Sequence, residues 1–303
     1  MARIDTLANF LTDVAAAIKN KTGKTDPITP ANFDTEIESI QAGGDTSMED
    51  GLIEGTLTEY SNDRVTTIKK NLFCNDTKIT TVDFPNVTVL NSSCFEGCTV
   101  LKNVNIPKVE EIGSHSFYSC SNLTSFDFTN VKKIGQAAFR KTKITSIDAP
   151  VCTSTSSSGN TFEYMTSLVS VNLPELTYLN TYDFTNCTSL QTIILPKVTS
   201  IGYYAFQSCS SLTKADFPLL TRVQQGLFSS CTKLDTLILR NSVLCTLEKT
   251  NAISNTLIAQ NTGYIYVPSA LIEDYKVATN WTTYADQFRA IEDYPDICGE
   301  VTE

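Results

Sequence analysis

Apolar residues come in short bursts, and the bursts repeat. Phe stands at 73, 95, 117, 139, 162, 184, 206 and 228, a step of 22 residues with a single step of 23 between 139 and 162. Pro recurs at 85, 107, 150, 174, 196 and 218. Cys follows the Phe at 98, 120, 187, 209 and 231, with Thr142 and Met165 in the two units between. A fixed period of this length marks a repeat protein in which each unit stacks on the next.

The unit from Leu101 to Asn122 can be read position by position. Val104 and Ile106 alternate with Asn103 and Asn105, the two-residue period of a strand with one buried face. Pro107 lacks an N–H and ends strand pairing. Val109 and Ile112 turn inward again. Gly113 is expected to supply an unusual backbone angle. Phe117 and Cys120 suit one turn of short helix with a buried face. So short a unit cannot bury its own apolar side, but a stack can. The pattern therefore predicts an α/β repeat solenoid: a parallel sheet on one side, short turns on the other, and strands about 4.8 Å apart.

The ends differ from the repeats. Leu7, Phe10, Leu11, Val14 and Ile18 fall at helical spacing over residues 5–20, behind Asp5 as a cap. A second helix starts at Thr29-Pro30, with Phe33, Ile37 and Ile40 on its apolar side. Residues 1–44 thus read as a helical docking module and 45–55 as a linker. The solenoid spans 56–262, with a degenerate first coil at 56–76 closing its open edge. Residues 263–303 read as a C-terminal cap. There a strand at Tyr264–Val267 precedes a helix capped by Ser269, and Trp281, Tyr284 and Phe288 cover the last coil. The segment Cys152–Asn160 replaces the regular Val-x-x-Ile-Gly element and is expected to be a surface excursion, either a recognition loop or a tolerated insertion.

Composition narrows the chemistry. The chain has 33 acidic and 23 basic residues, a net charge of -10, and no basic stripe, which argues against nucleic-acid binding. Its one His, His115, lies in a variable repeat position and is expected to be an exposed loop residue. No nucleophile pairs with a base by spacing, so no catalytic residue, cofactor or metal site is expected. The ten Cys include no C-x-x-C pair, and parallel stacking aims successive side chains the same way, so the ladder cysteines are expected to be free thiols filling the core. No run of about 18 apolar residues exists to span a membrane. The first residues lack a signal-peptide core, so the chain is expected to stay in the cytoplasm unless lysis releases it.

The outward face of the strands is the candidate binding surface. Its column runs Asp83, Asn105, Asp127, Asp148, Asn172, Ile194, Asp216 and Ile238. Asp127 and Asp148 would stack as like charges, which costs stability unless ions or a partner counter it. The column reads either as an acidic recognition strip or as a solvated face that discourages aggregation.

The motif Leu-x-x-Val-x-Ile-Pro-x-Val-x-x-Ile-Gly-x-x-x-Phe-x-x-Cys closely resembles the BspA-type leucine-rich repeats of bacterial surface proteins. The resemblance implies a right-handed leucine-rich-repeat solenoid used for adhesion and protein binding, without catalysis. The N-terminus, Ile4-Asp5-Thr6-Leu7 through Pro27-Ile28, resembles a module heading tail and other structural proteins of phages of gut Firmicutes. Together the two imply a virion protein, present in multiple copies or as a homo-oligomer. Residues 1–44 would dock to other virion proteins through Leu7, Phe10, Leu11, Val14, Ile18, Phe33 and Ile37. The solenoid would bind a host-surface protein or glycan without membrane insertion. The other reading is a cell-surface or secreted adhesin of a gut bacterium.

Overall fold

A computed structural model describes residues 58–299. The proposed docking residues Leu7, Phe10, Leu11, Val14, Ile18, Phe33 and Ile37, and the linker, lie outside the described residues.

The chain winds as a stack of coils, most of them laying down a strand in a main ladder and a two-residue strand in a second one. All pairings are parallel. In the main ladder 59–61 pairs with 81–83 and 81–83 with 103–105. Strand 170–172 pairs with 146–148 and 192–194. At the far end 214–217, 236–239, 264–267 and 288–290 follow in order. The second ladder runs 67–68, 89–90, 111–112, 133–134 and 154–155, then 178–179 with 200–201, and 222–223 with 246–247. Register follows the period: Val82 faces Val104, and Asp148 faces Asn172, which faces Ile194.

The repeated Phe residues form one continuous stack in the core. Neighbouring rings are 4.9 Å apart at Phe73–Phe95 and 5.5 Å at Phe184–Phe206, nearly parallel in both cases. This offset stacking adds to their burial. The widest step, 6.2 Å, is Phe139–Phe162, where the repeat has its extra residue.

The turn around each Phe is not a helix. The residues two before and two after it sit in the left-handed region, as at His115 (φ 59°) and Ser119 (φ 60°), or Tyr182 (φ 60°) and Asn186 (φ 61°). This alternation aims successive N–H groups at the next coil: Ser93 donates to the Ser114 carbonyl, Phe95 to Ser116, and Gly97 to Tyr118, at 2.8–2.9 Å. Helical backbone would point those donors along its own axis. The stack thus satisfies its turns coil to coil, as a sheet does.

Gly113 also has a different role from the one its sequence context suggests. Its φ is not positive; a Cβ there would lie 2.6 Å from the backbone nitrogen of Ser92 in the preceding coil. Close approach of two backbones, not an unusual angle, demands glycine here.

The Cys ladder is buried and free of disulfides, but it does more than fill space. Each thiol donates to the carbonyl of the Phe one coil back: Cys98 to Phe73 at 2.9 Å, Cys120 to Phe95 at 3.0 Å, Cys187 to Phe162 at 3.2 Å, Cys209 to Phe184 at 3.2 Å and Cys231 to Phe206 at 3.0 Å. Thr142 donates to the Phe139 carbonyl of its own coil instead. Burial pushes the Cys98 thiol up to about 12 and Cys120 well above its usual value, so these thiols stay protonated.

At the C-terminal end, Tyr275 and Trp281 are fully buried against the last coil. The Tyr275 hydroxyl accepts the Cys245 N–H at 2.8 Å, and the Trp281 indole donates to the Cys245 carbonyl at 2.7 Å. Ser269 does not cap the helix Ile272–Val277 with its side chain. Its N–H instead donates to the Glu292 carboxylate at 3.0 Å.

The irregular segment is no surface excursion. Ser154–Thr155 keeps its rung in the second ladder, pairing with Lys133–Ile134. Two more residues separate Thr155 from Phe162 than separate Ile134 from Phe139, and within that stretch Gly159 takes φ +70°, where a Cβ would meet the Thr181 carbonyl at 2.0 Å.

Candidate binding face

Three residues of each main strand decide what solvent sees. The middle residue points inward, and its neighbours point out. In 81–83 and 170–172 the middle residues Val82 and Val171 are buried, while their flanks are partly exposed. The outward column is therefore real, and its polar members are tied to one another. Asp83 accepts the Ser61 hydroxyl at 3.2 Å and the Asn105 amide at 2.7 Å. Asp148 accepts the Asn172 amide at 2.8 Å. Asp beside Asn in adjacent coils gives each carboxylate a neutral donor, where Asp beside Asp would repel.

Asp127 and Asp148 are not rungs of one ladder. The main ladder breaks at this coil, and Asp127 sits in a non-strand segment where its carboxylate accepts the Thr129 N–H at 3.0 Å. At the inward place of this coil stands Phe126, where other coils carry Tyr60, Val82, Val104, Ile147 or Val171. Its ring is half-buried among Phe117, Phe128 and Phe139, with centroids 4.9–5.2 Å away.

Towards the C-terminus the same column changes character. Asp216 is held by Arg240 through two bonds, Nε to Oδ1 at 2.9 Å and Nη2 to Oδ2 at 2.7 Å. Arg240 Nη2 also donates to the Cys298 carbonyl, and Lys214 to the Ile297 carbonyl at 2.6 Å. These contacts hold the last turn, Pro295–Cys298, over the face. Beneath it Ile238, Tyr266, Ile291 and Cys298 make a second small apolar cluster. Ile238, placed outward by the sequence pattern, is completely buried, whereas Ile194 in the same column is 48% exposed. The open part of the face is thus the part running from Asp83 to Ile194.

His115 is half-buried, its ring 5.8 Å from Tyr118 in an edge contact. Among the described residues no three His, Cys, Asp or Glu side chains converge as metal ligands would. No helix among them is long and apolar enough to cross a membrane.

The sequence matches the profile of the BspA-type leucine-rich repeat region, in six copies, over residues 57–162 and 155–269. The chain belongs to that family. The BspA-type stack is similar to several solved structures. One is a leucine-rich repeat protein of T. pallidum, 24% identical over 49% of this chain and 72% of that one, with a TM-score of 0.46. Another, from Bacteroides ovatus, is 18% identical over 80% of this chain and 87% of that one, with a TM-score of 0.42. A leucine-rich cell surface protein from Faecalibacterium prausnitzii is 17% identical over 85% of this chain and 94% of that one, with a TM-score of 0.32. No curated protein matches the sequence.

Proposed function

We propose that this BspA-type chain is a non-enzymatic adhesive scaffold of a bacterial surface, and that its outward face from Asp83 to Ile194 is the contact surface. The observation carrying this reading is the unequal treatment of one column. At Asp216, Ile238 and Tyr266 the fold spends an ion pair and a terminal turn to cover it. From Asp83 through Asn105, Asp127, Asp148 and Asn172 to Ile194 it is left to solvent, presenting carboxylates and amides from successive coils. Such a surface suits a polar partner, a host protein or glycan, engaged through many small contacts. Family membership supports the surface reading ahead of a virion protein, whose docking contacts belong to residues 1–44.

The test is adhesion of the purified chain to intact bacterial and mammalian cells. Asn105→Lys with Asn172→Lys sets a cation beside Asp83 and Asp148 without touching the core. The expected outcome is loss of cell binding with an unchanged thermal midpoint. Full binding by the double variant would overturn the assignment of this face.

A further inference from the structure

One coil of the stack is built differently, and the difference is chemical. Thr155 takes the inward second-ladder place filled by Ile112 and Ile134 before it and by Leu179 and Ile201 after it. Its hydroxyl donates to Asp183 Oδ2 at 3.1 Å and accepts the Asn180 side-chain Nδ2 at 2.9 Å. Asp183 is completely buried. Its carboxylate is fixed by two backbone donors, Thr161 N at 3.0 Å and Asn180 N at 2.9 Å. The regular coils put Cys94, Ser116, Ala138 or Ala205 at this place before the Phe. A buried acid is costly unless hydrogen-bonded, and this one takes its bonds from the Thr155 hydroxyl and the Thr161 and Asn180 N–H groups.

A hydroxyl, a buried carboxylate bonded to it and a side-chain amide against the same oxygen are the parts of an acyl transfer: nucleophile, general base and acyl donor. We propose that Thr155 and Asn180 join as an intramolecular ester, a covalent rung between neighbouring coils. A turn about the Asn180 Cα–Cβ bond moves Cγ, whose Nδ2 already lies 2.9 Å from the Thr155 oxygen, to within bonding approach of the hydroxyl. Asp183 takes the Thr155 proton as Oγ1 bonds to Asn180 Cγ. The Cγ–Nδ2 bond then breaks, the proton passes to that nitrogen, and ammonia leaves, returning Asp183 to its starting form. No oxidant or second reactant is needed. Burial raises the Asp183 carboxyl above its ordinary range, which strengthens it as a base. The Thr161 hydroxyl, buried and lacking a well-formed hydrogen bond, lies near the same carboxylate. Thr155 also lines a shallow surface groove of about 420 Å³, which gives ammonia a way out.

Intact mass spectrometry of the folded full chain tests this. The expected mass is that of the sequence less one ammonia. After cleavage at Glu163 and Glu175, the peptides carrying Thr155 and Asn180 should remain joined, and hydroxylamine should separate them. Thr155→Val and Asp183→Asn should each restore the full sequence mass; if Asp183→Asn does not fold, the near-isosteric Thr155→Val makes the comparison alone. A folded wild-type chain at full sequence mass would overturn the proposal and leave a non-covalent polar knot. So would an ammonia loss that persists in Thr155→Val.

Discussion

Ile194 and Ile238 occupy equivalent places in the repeat, two coils apart, yet the first is 48% exposed and the second completely buried. Their own coils do not explain this. What differs is the last turn, Pro295–Cys298, which the Arg240–Asp216 pair and Lys214 bring over Ile238 and Tyr266. The comparison separates what the stack needs from what it displays. A coil is stabilised by its inward residues, and the outward column is free to vary until something is laid on it.

The sharpest break of the comparison comes from inside. Phe184→Ala removes one ring from the continuous stack and should cost roughly 3–5 kcal/mol, read as a fall in the urea midpoint. Next, Ile238→Ala should cost about 2–4 kcal/mol, while Ile194→Ala should stay within about 0.5 kcal/mol. Equal effects at the two isoleucines would remove the distinction between covered and open column. Arg240→Ala unpins the terminal turn and leaves Asp216, itself 28% exposed, without its partner. A loss of about 1–2 kcal/mol is expected, with faster hydrogen exchange at 295–298. Asn172→Ala removes an exposed amide from Asp148 and should change stability by less than about 0.5 kcal/mol.

A pH titration separates the interior from the face. Burial raises Cys98 and Cys245 to about 12 from the usual 9.0. A thiol whose folded value is raised contributes fully below its unfolded value. That contribution is lost as pH climbs from about 9 towards 12, because the unfolded chain ionises first. The urea midpoint should therefore hold up to pH 9 and fall above it, and Cys98→Ala should fall less steeply.

Much of this was legible from spacing. The period placed every Phe of the core stack and the register of Val82 and Val104, and the aromatic cluster after the last coil gave the burial of Trp281, Tyr284 and Phe288. Spacing carries no information about side-chain packing, so it missed the break in the main ladder at the coil of Phe126 and Asp127. It carries none about distant chain, so Ile238 read as exposed although residues 291–298 cover it. The left-handed turns beside each Phe left a partial signal in Asn71, Asn75, Gly97, Asn160, Asn186 and Gly226, which Ser93, Ala137, Tyr182 and Tyr204 at the same places obscured. The thiol donors join residues 25 apart, from one coil to the previous one, and no local pattern shows that. Asp183 did leave a signal: an acid directly before the Phe, where other units carry small side chains.

Oxidative footprinting of side chains tests the central claim most directly, since Ile194 and Ile238 report on the same column in one experiment. In the free chain Ile194 should be labelled and Ile238 protected. On cells that the chain adheres to, Ile194 should become protected while Ile238 stays as it was. Labelling of Ile194 that is unchanged on binding, or labelling of both isoleucines alike in the free chain, would contradict the account.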